Sequence, residues 1–123
     1  MKHAILGAGA IGGLVGTALS SLGEHVIVVV RPERLASYPR SLALERPSGA
    51  GVLTAPAKAV ASLTELADVL WIATKTYQLP SALEAVQLSP GCVVPLLNGV
   101  DLIAVRRALA QDGTGTPEGP LAP

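Results

Sequence analysis

The run Gly7-Ala8-Gly9-Ala10-Ile11-Gly12 constrains this chain more than any other stretch. An apolar segment of strand character, Lys2-His3-Ala4-Ile5-Leu6, precedes it. A segment with apolar residues at Ile11, Leu14, Val15, Ala18, Leu19 and Leu22 follows, at the spacing of an amphipathic helix. A second apolar strand, His25-Val26-Ile27-Val28-Val29-Val30, then ends on Arg31. Strand, glycine turn, helix and strand within about thirty residues form the arrangement that binds dinucleotides.

The chemistry explains the glycines. A pyrophosphate needs its charge compensated without crowding, and a helix N-terminus offers unpaired N–H groups and a partial positive charge. Gly7 allows the tight turn out of the strand, Gly9 lets backbone approach the phosphates, and Gly12 lets the helix lie close on the sheet. The alternative is that these glycines only shape a strand–helix turn.

A second alternative is a membrane span or signal peptide, because Ala4 to Gly23 holds no Asp, Glu, Lys or Arg. Glycines at 7, 9, 12, 13, 16 and 23 speak against one long helix, and an α/β pattern follows. No membrane insertion is expected.

Arg31 bears on the cofactor. NAD sites place an Asp or Glu at the end of the second strand to hold the ribose 2′-hydroxyl. Here the strand ends in Arg31-Pro32-Glu33-Arg34, nineteen residues after Gly12. An arginine there would pair with a 2′-phosphate through parallel hydrogen bonds, so NADP(H) is expected. The alternative is a solvated Arg31 and Arg34, with Glu33 taking the ribose.

With 123 residues there is room for one domain, assigned to 1–110. Half the residues are hydrophobic, yet Phe is absent and Trp occurs once, so the core must be built from Ala, Val and Leu. Zero formal net charge argues against a broad nucleic-acid surface. The lone Cys92 excludes a disulfide framework or cysteine-rich metal site within one chain, which suits a reducing cytoplasm, and no metal ligand set is expected. His3 and His25, at strand starts, read as structural or solvated.

Downstream, a helical turn is expected over Leu35 to Tyr38, strands over Ser41–Glu45 and Val52–Thr54, and the end of a third strand at Val60. These suggest an antiparallel excursion on the sheet edge. Ser62–Leu66 resembles a capped helical turn. Val69-Leu70-Trp71-Ile72-Ala73 is a buried strand ending in Thr74-Lys75-Thr76-Tyr77-Gln78. A helix carrying Leu79, Ala82, Leu83 and Val86 on one face is expected next, with Pro80 in its first turn. Cys92–Leu97 reads as another buried strand ending at Asn98-Gly99-Val100, and Leu102, Val105 and Leu109 mark a last helix. Residues 111–123 keep no apolar period and read as a disordered tail or linker.

The fold class is therefore α/β: a Rossmann-like, doubly wound, mainly parallel sheet with a short antiparallel edge excursion. Ligands of such sheets sit beyond the carboxyl ends of the strands. The glycine turn, Arg31, Thr74-Lys75 with Gln78, and Asn98-Gly99 all fall at strand ends, and that convergence is more specific than any one of them. Alone, Lys75 is equally a solvated cation and Asn98-Gly99 an ordinary turn.

The opening Ile5-Leu6-Gly7-Ala8-Gly9-Ala10-Ile11-Gly12-Gly13, Arg31, Lys75-x-x-Gln78 and Leu96-Leu97-Asn98-Gly99-Val100 together resemble the N-terminal domain of the ketopantoate reductase (2-dehydropantoate 2-reductase) family, over roughly residues 1 to 105. Asp101 departs from the glycine common there. The resemblance implies NADPH-dependent reduction of a 2-keto acid to a 2-hydroxy acid, the step used in pantothenate synthesis. It implies pyrophosphate contacts from Gly7, Ala8, Gly9, Ala10, Ile11 and Gly12 and a 2′-phosphate contact from Arg31. Thr74, Lys75, Gln78, Asn98 and Gly99 would line the cofactor, with Lys75 and Asn98 near nicotinamide and substrate. The family's proton donor is a lysine in a helical C-terminal domain, which these residues do not include, and the sheet strand that normally follows the last helix is also missing. Three expectations stand side by side: a member of an enzyme family, a module that binds NADP(H) without turnover, and a packing or regulatory domain with an empty site. Uncovered apolar surface suggests a homodimer.

Overall fold

The computed structural model describes residues 1–7, 9–39, 41–45, 51–96 and 102–110. In chain order the elements are β1 (Lys2–Leu6), α1 (Ala10–Ser21), β2 (His25–Val29), α2 (Pro32–Leu35), β3 (Ser41–Glu45), β4 (Val52–Pro56), β5 (Lys58–Val60), β6 (Val69–Ile72), α3 (Leu79–Leu83), β7 (Cys92–Pro95) and α4 (Leu102–Ala110). A 3-10 turn, Thr76–Gln78, leads into α3.

Five strands form a wholly parallel sheet in the order β5-β2-β1-β6-β7. The chain winds outward from β1 to β2 and β5, then crosses back to lay β6 on the other side of β1. The strand order therefore reverses between β1 and β6, the switch point where open α/β sheets leave a crevice. The register is even, with Leu6 opposite both Val29 and Ile72, and Ile72 opposite Pro95. The carboxyl ends of four strands thus lie level.

Strand alternation sorts the apolar runs onto two faces. Ile5, Val26, Val28 and Val30 form one cluster, against which Val15 and Leu19 of α1 pack. Ala4, Leu6, Ile27, Val29, Leu70 and Ile72 form the other, completed by Leu79 of α3 and by Val105 and Leu109 of α4. Helices cover both faces, as a doubly wound sheet requires. Each fully buried Leu or Ile contributes roughly 1.5–3 kcal/mol by leaving water.

Several local expectations give way to packing. The amphipathic reading of α1 turned Ile11, Leu14 and Leu22 inward, yet all three are exposed, while Gly12, Gly16 and Thr17 are buried. The helix lies too close to the sheet for large side chains at the contact. Gly12 and Gly16, one helical turn apart, carried that signal in the sequence. Pro32 starts α2 earlier than expected, at the position its missing N–H favours, so Leu35 ends the helix rather than opening it.

Ser62–Leu66 is not a helical turn. Leu63, nearly fully buried, makes an isolated parallel bridge to Val86, with Leu63 N–H donating to Ala85 O at 2.7 Å and Gln87 N–H donating to Leu63 O at 2.9 Å. The bridge takes Val86 out of α3, which stops at Leu83. The antiparallel excursion also moves. β3 and β4 pair as a separate two-stranded sheet, and the Ser20 hydroxyl of α1 donates to Pro56 O at its end, while β5 joins the main sheet in parallel. β7, expected to be buried, is half-buried along its whole length, as the last strand of the sheet among the described residues. Among the described residues no helix is long and apolar enough to cross a membrane.

Candidate functional site

The site begins where β1 runs out. Gly7 has φ of +100°, a conformation that L side chains rarely adopt. Space forbids a side chain as well: a Cβ on Gly7 would lie 2.8 Å from Thr74 Cγ2 and 2.9 Å from the Thr74 backbone nitrogen. Gly7 N–H donates to Val29 O at 3.2 Å, and Ala73 N–H donates to Leu6 O at 2.9 Å. The turn is thus clamped between the ends of β2 and β6.

Gly12 faces the same crowding from the helix side. A Cβ there would collide with Gly7 O and lie 3.2 Å from both Ala73 Cβ and Ile5 Cγ2. Gly9 differs. It caps α1 in an ordinary extended conformation, φ −72° and ψ −171°, and a Cβ on it would meet nothing within 4 Å among the described residues. No atom of the described residues requires glycine there. The open volume lies at the mouth of a twelve-residue helix with no side-chain cap and no acidic residue in its first turn. The N–H groups of that first turn have no partner inside the helix. Ala10 and Ile11 supply backbone here, and the Ile11 side chain is exposed.

Thr74 closes the floor. Its Oγ1 is buried and has no hydrogen-bond partner among the described residues, which is uncommon for a buried hydroxyl. An orphaned hydroxyl, an open volume beside Gly9 and a free helix N-terminus suit an anionic group laid across the turn.

Two cations stand on the same edge. Arg31 follows β2 and caps α2; its guanidinium is exposed, with Nε 3.6 Å from Glu33 Oε1. Lys75 is exposed just past β6, and its carbonyl accepts from Gln78 N–H at 2.9 Å in the 3-10 turn. Gln78 is half-buried at the start of α3. Leu96 N–H donates to Ile72 O at 2.9 Å, so β7 delivers the chain to the same edge. Ala8, Asn98 and Gly99 lie outside the described residues, as does the expected tail over 111–123. The structure therefore brings Gly7, Gly9, Gly12, Arg31, Thr74, Lys75 and Gln78 to one edge of one sheet. No group of three or more His, Cys, Asp or Glu suited to a metal occurs among the described residues.

The sequence did not reveal a second cluster at the opposite end. His3 is buried, and its Nδ1 accepts from Trp71 Nε1–H at 3.0 Å, while its Nε2 lies 3.4 Å from Glu24 Oε1. Its structural reading holds. His3 and Trp71 are far apart in sequence, and only the strand pairing brings them together.

A Rossmann-type sheet with a glycine turn at its switch point defines a dinucleotide-binding class of domain. Comparison with known proteins narrows the class. Residues 3–114 match the family profile described as ketopantoate reductase PanE/ApbA. The chain belongs to that family of oxidoreductases. It is 31% identical over 102 residues to the uncharacterized oxidoreductase YkpB of Bacillus subtilis (strain 168), covering 80% of this chain and 34% of that protein. The crystal structure of a PanE/ApbA family ketopantoate reductase from Ralstonia eutropha JMP134 superposes with a TM-score of 0.68 at 29% identity, over 89% of this chain and 38% of that one. A D-mandelate dehydrogenase in ternary complex with NADH and anilino(oxo)acetate shares the fold, with a TM-score of 0.68 at 23% identity over 89% and 37% of the two chains. The chain spans about a third of the length of these relatives.

Proposed function

We propose that this chain holds NADP(H) across its glycine turn and serves the reduction of a 2-keto acid to a 2-hydroxy acid, of the type used in pantothenate synthesis. The observation that carries the reading is the contrast between Gly7 and Gly9. Gly7 is wedged by the protein itself, whereas Gly9 meets no described residue at a helix N-terminus without a side-chain cap. In this reading the pyrophosphate lies over Gly9, with the α1 N–H groups donating to it and the Thr74 hydroxyl gaining the partner it lacks. Arg31 receives the 2′-phosphate, and Lys75, Gln78, Asn98 and Gly99 line the way towards the nicotinamide. When bound, the cofactor would supply a hydride for the substrate carbonyl. The chain's own residues would fix its phosphates, orient the ring and place a lysine cation near the keto acid's negative charge. Lys75 suits that last role because the other two lysines, Lys2 and Lys58, are both paired with Glu65 at the far end of the sheet.

Fluorescence titration of the chain with NADPH and NADH tests the cofactor. Saturable binding that favours NADPH is expected, and Arg31→Asp should weaken NADPH by about tenfold or more while sparing NADH, the scale of one charge-assisted contact. Equal loss of both cofactors would contradict the 2′-phosphate role and favour Glu33 as the ribose ligand.

A second reading is that these residues bind the cofactor without turning it over. Ketopantoate-dependent NADPH oxidation separates the two, since turnover at the rate of a full-length reductase excludes binding alone. The half-buried β7 at the sheet's edge adds self-association to the proposal, as a cytoplasmic homodimer. A sharp monomer peak at every concentration in sizing experiments would refute it.

A further inference from the structure

The His3–Trp71–Glu24 cluster lies at the amino end of the sheet, away from the glycine turn, and the proposed function makes no use of it. We propose that it is a proton-sensitive clasp between β1 and β6. An indole N–H donates and never accepts. Trp71 Nε1 lies 3.0 Å from His3 Nδ1, so Nδ1 must be the unprotonated, accepting nitrogen. The ring proton then belongs to Nε2, which points at Glu24 Oε1 at 3.4 Å. The arrangement fixes both the neutral state and the tautomer of a buried imidazole.

A second proton on His3 would have to enter at Nδ1, opposite the indole N–H. Two donors would then face each other and the Trp71 bond would be lost. The gain would come at Nε2, where the imidazolium faces the Glu24 carboxylate. The charges around the ring are few. The turn after α1 contributes Glu24, which the N-terminal ammonium also approaches at 3.4 Å. Within β1, Lys2 turns to Glu65 at 2.8 Å, and its backbone N–H to Asp68 before β6 at 2.7 Å. β2 contributes an exposed His25, β5 contributes Lys58, held by Glu65 at 3.0 Å, and α1 carries no charged residue. Protonation therefore moves His3 from Trp71 on β6 to Glu24 on the α1–β2 turn.

The link spans the switch point. His3 pairs with Val69 and Ile5 with Trp71, so His3 and Trp71 are diagonal neighbours on one face, within reach of large side chains. Their rings lie 6.1 Å apart, tilted by 32°. The same two strands carry Gly7 and Thr74 at their other ends. Opening the clasp removes the only side-chain hydrogen bond described between β1 and β6.

Trp71 is the chain's only tryptophan, so it reports on itself. The test follows the Trp71 indole N–H resonance and tryptophan emission of the 123-residue chain between about pH 8 and pH 5, where imidazoles change charge. The wild-type chain should show one transition in both signals. His3→Gln, whose amide oxygen still accepts from the indole, should show none, and His25→Gln should keep the wild-type transition. Glu24→Gln, which removes the anion facing the imidazolium, should move the midpoint to lower pH. A wild-type chain without a transition, a transition that survives in His3→Gln, or one abolished in His25→Gln overturns the proposal. Should His3→Gln fail to fold, the wild-type chain decides alone: the His3 ring and Trp71 indole resonances must share one midpoint, and separate midpoints refute the clasp.

Discussion

The two ends of the parallel sheet are built on opposite principles. At the amino end, side chains tie elements together. Glu65 bridges Lys2 of β1 and Lys58 of β5, Asp68 takes the Lys2 backbone N–H, and Trp71 reaches His3 across β1 and β6. At the carboxyl end, the one ion pair described is Arg31 with Glu33, two residues apart and both well exposed. What shapes that end is backbone: a positive-φ glycine, tight contacts, an uncapped helix and an orphaned hydroxyl. One end spends its polar groups on itself, and the other leaves the Thr74 hydroxyl and the α1 N-terminus without a side-chain partner among the described residues. The difference teaches where to look for function in such a sheet, namely at the edge whose polar groups lack partners.

The sharpest way to break this contrast is to exchange the glycines for alanine one at a time. Gly7→Ala forces a left-handed residue and a clash with Thr74, which should cost about 3 kcal/mol of stability from strain and overpacking together. Gly9→Ala should leave stability within roughly 1 kcal/mol, as expected for an exposed N-cap in an allowed conformation, yet weaken NADPH binding severalfold. Thermal melts with and without NADPH check both. Equal destabilisation by the two substitutions would remove the distinction between a wedged glycine and an open one.

Thr74→Val comes next. It deletes the unpaired hydroxyl while keeping the shape. The unliganded chain should be unchanged or up to about 1 kcal/mol more stable, because a buried hydroxyl without a partner is a cost. NADPH affinity should fall, and a calorimetric titration showing undiminished affinity would argue that the hydroxyl faces no ligand.

The smallest effect belongs to the amino end. Hydrogen bonds from Lys2 and then Lys58 hold the Glu65 carboxyl down at about 2, against an ordinary value of 4.5. A depressed folded-state value gives stability that is present above pH 4.5 and lost as pH falls through about 2. Melting temperatures of the wild-type chain should decline across that window, and Glu65→Gln should flatten the decline. The carboxylate is solvent-accessible, so added salt should shrink the difference. A Glu65→Gln variant with an unchanged acid profile would show that the bridge contributes nothing measurable.

The carboxyl edge was largely legible in the sequence, and the amino edge was not. Gly7, Gly9, Gly12 and the strand-end residues Arg31, Lys75 and Gln78 announce themselves because each sits at a fixed offset from an apolar run. Local rules then place them on one edge without knowledge of distant contacts. The Lys2–Glu65–Lys58 bridge and the His3–Trp71 bond depend on which strands become neighbours, and no local spacing records that. The errors have the same source. Ser62–Leu66 carries a capped-helix pattern, but pairing with Val86 competes for the backbone and wins. Ile11, Leu14 and Leu22 carry an amphipathic pattern, but the close approach of Gly12 and Gly16 to the sheet decides which side of α1 faces inward.

The reversal of strand order between β1 and β6 also sets a schedule. β1 finds β2 through a short helical crossover, from Lys2 opposite His25 onward, but its other edge must wait for Val69–Ile72. Closing that larger loop carries the greater entropic cost, so the β1–β2 unit should assemble early and the docking of β6 should limit the folding rate. Until β6 arrives, one edge of a deeply buried strand stands unpaired, and its Ala4-Ile5-Leu6 run is exposed to pairing with the wrong chain.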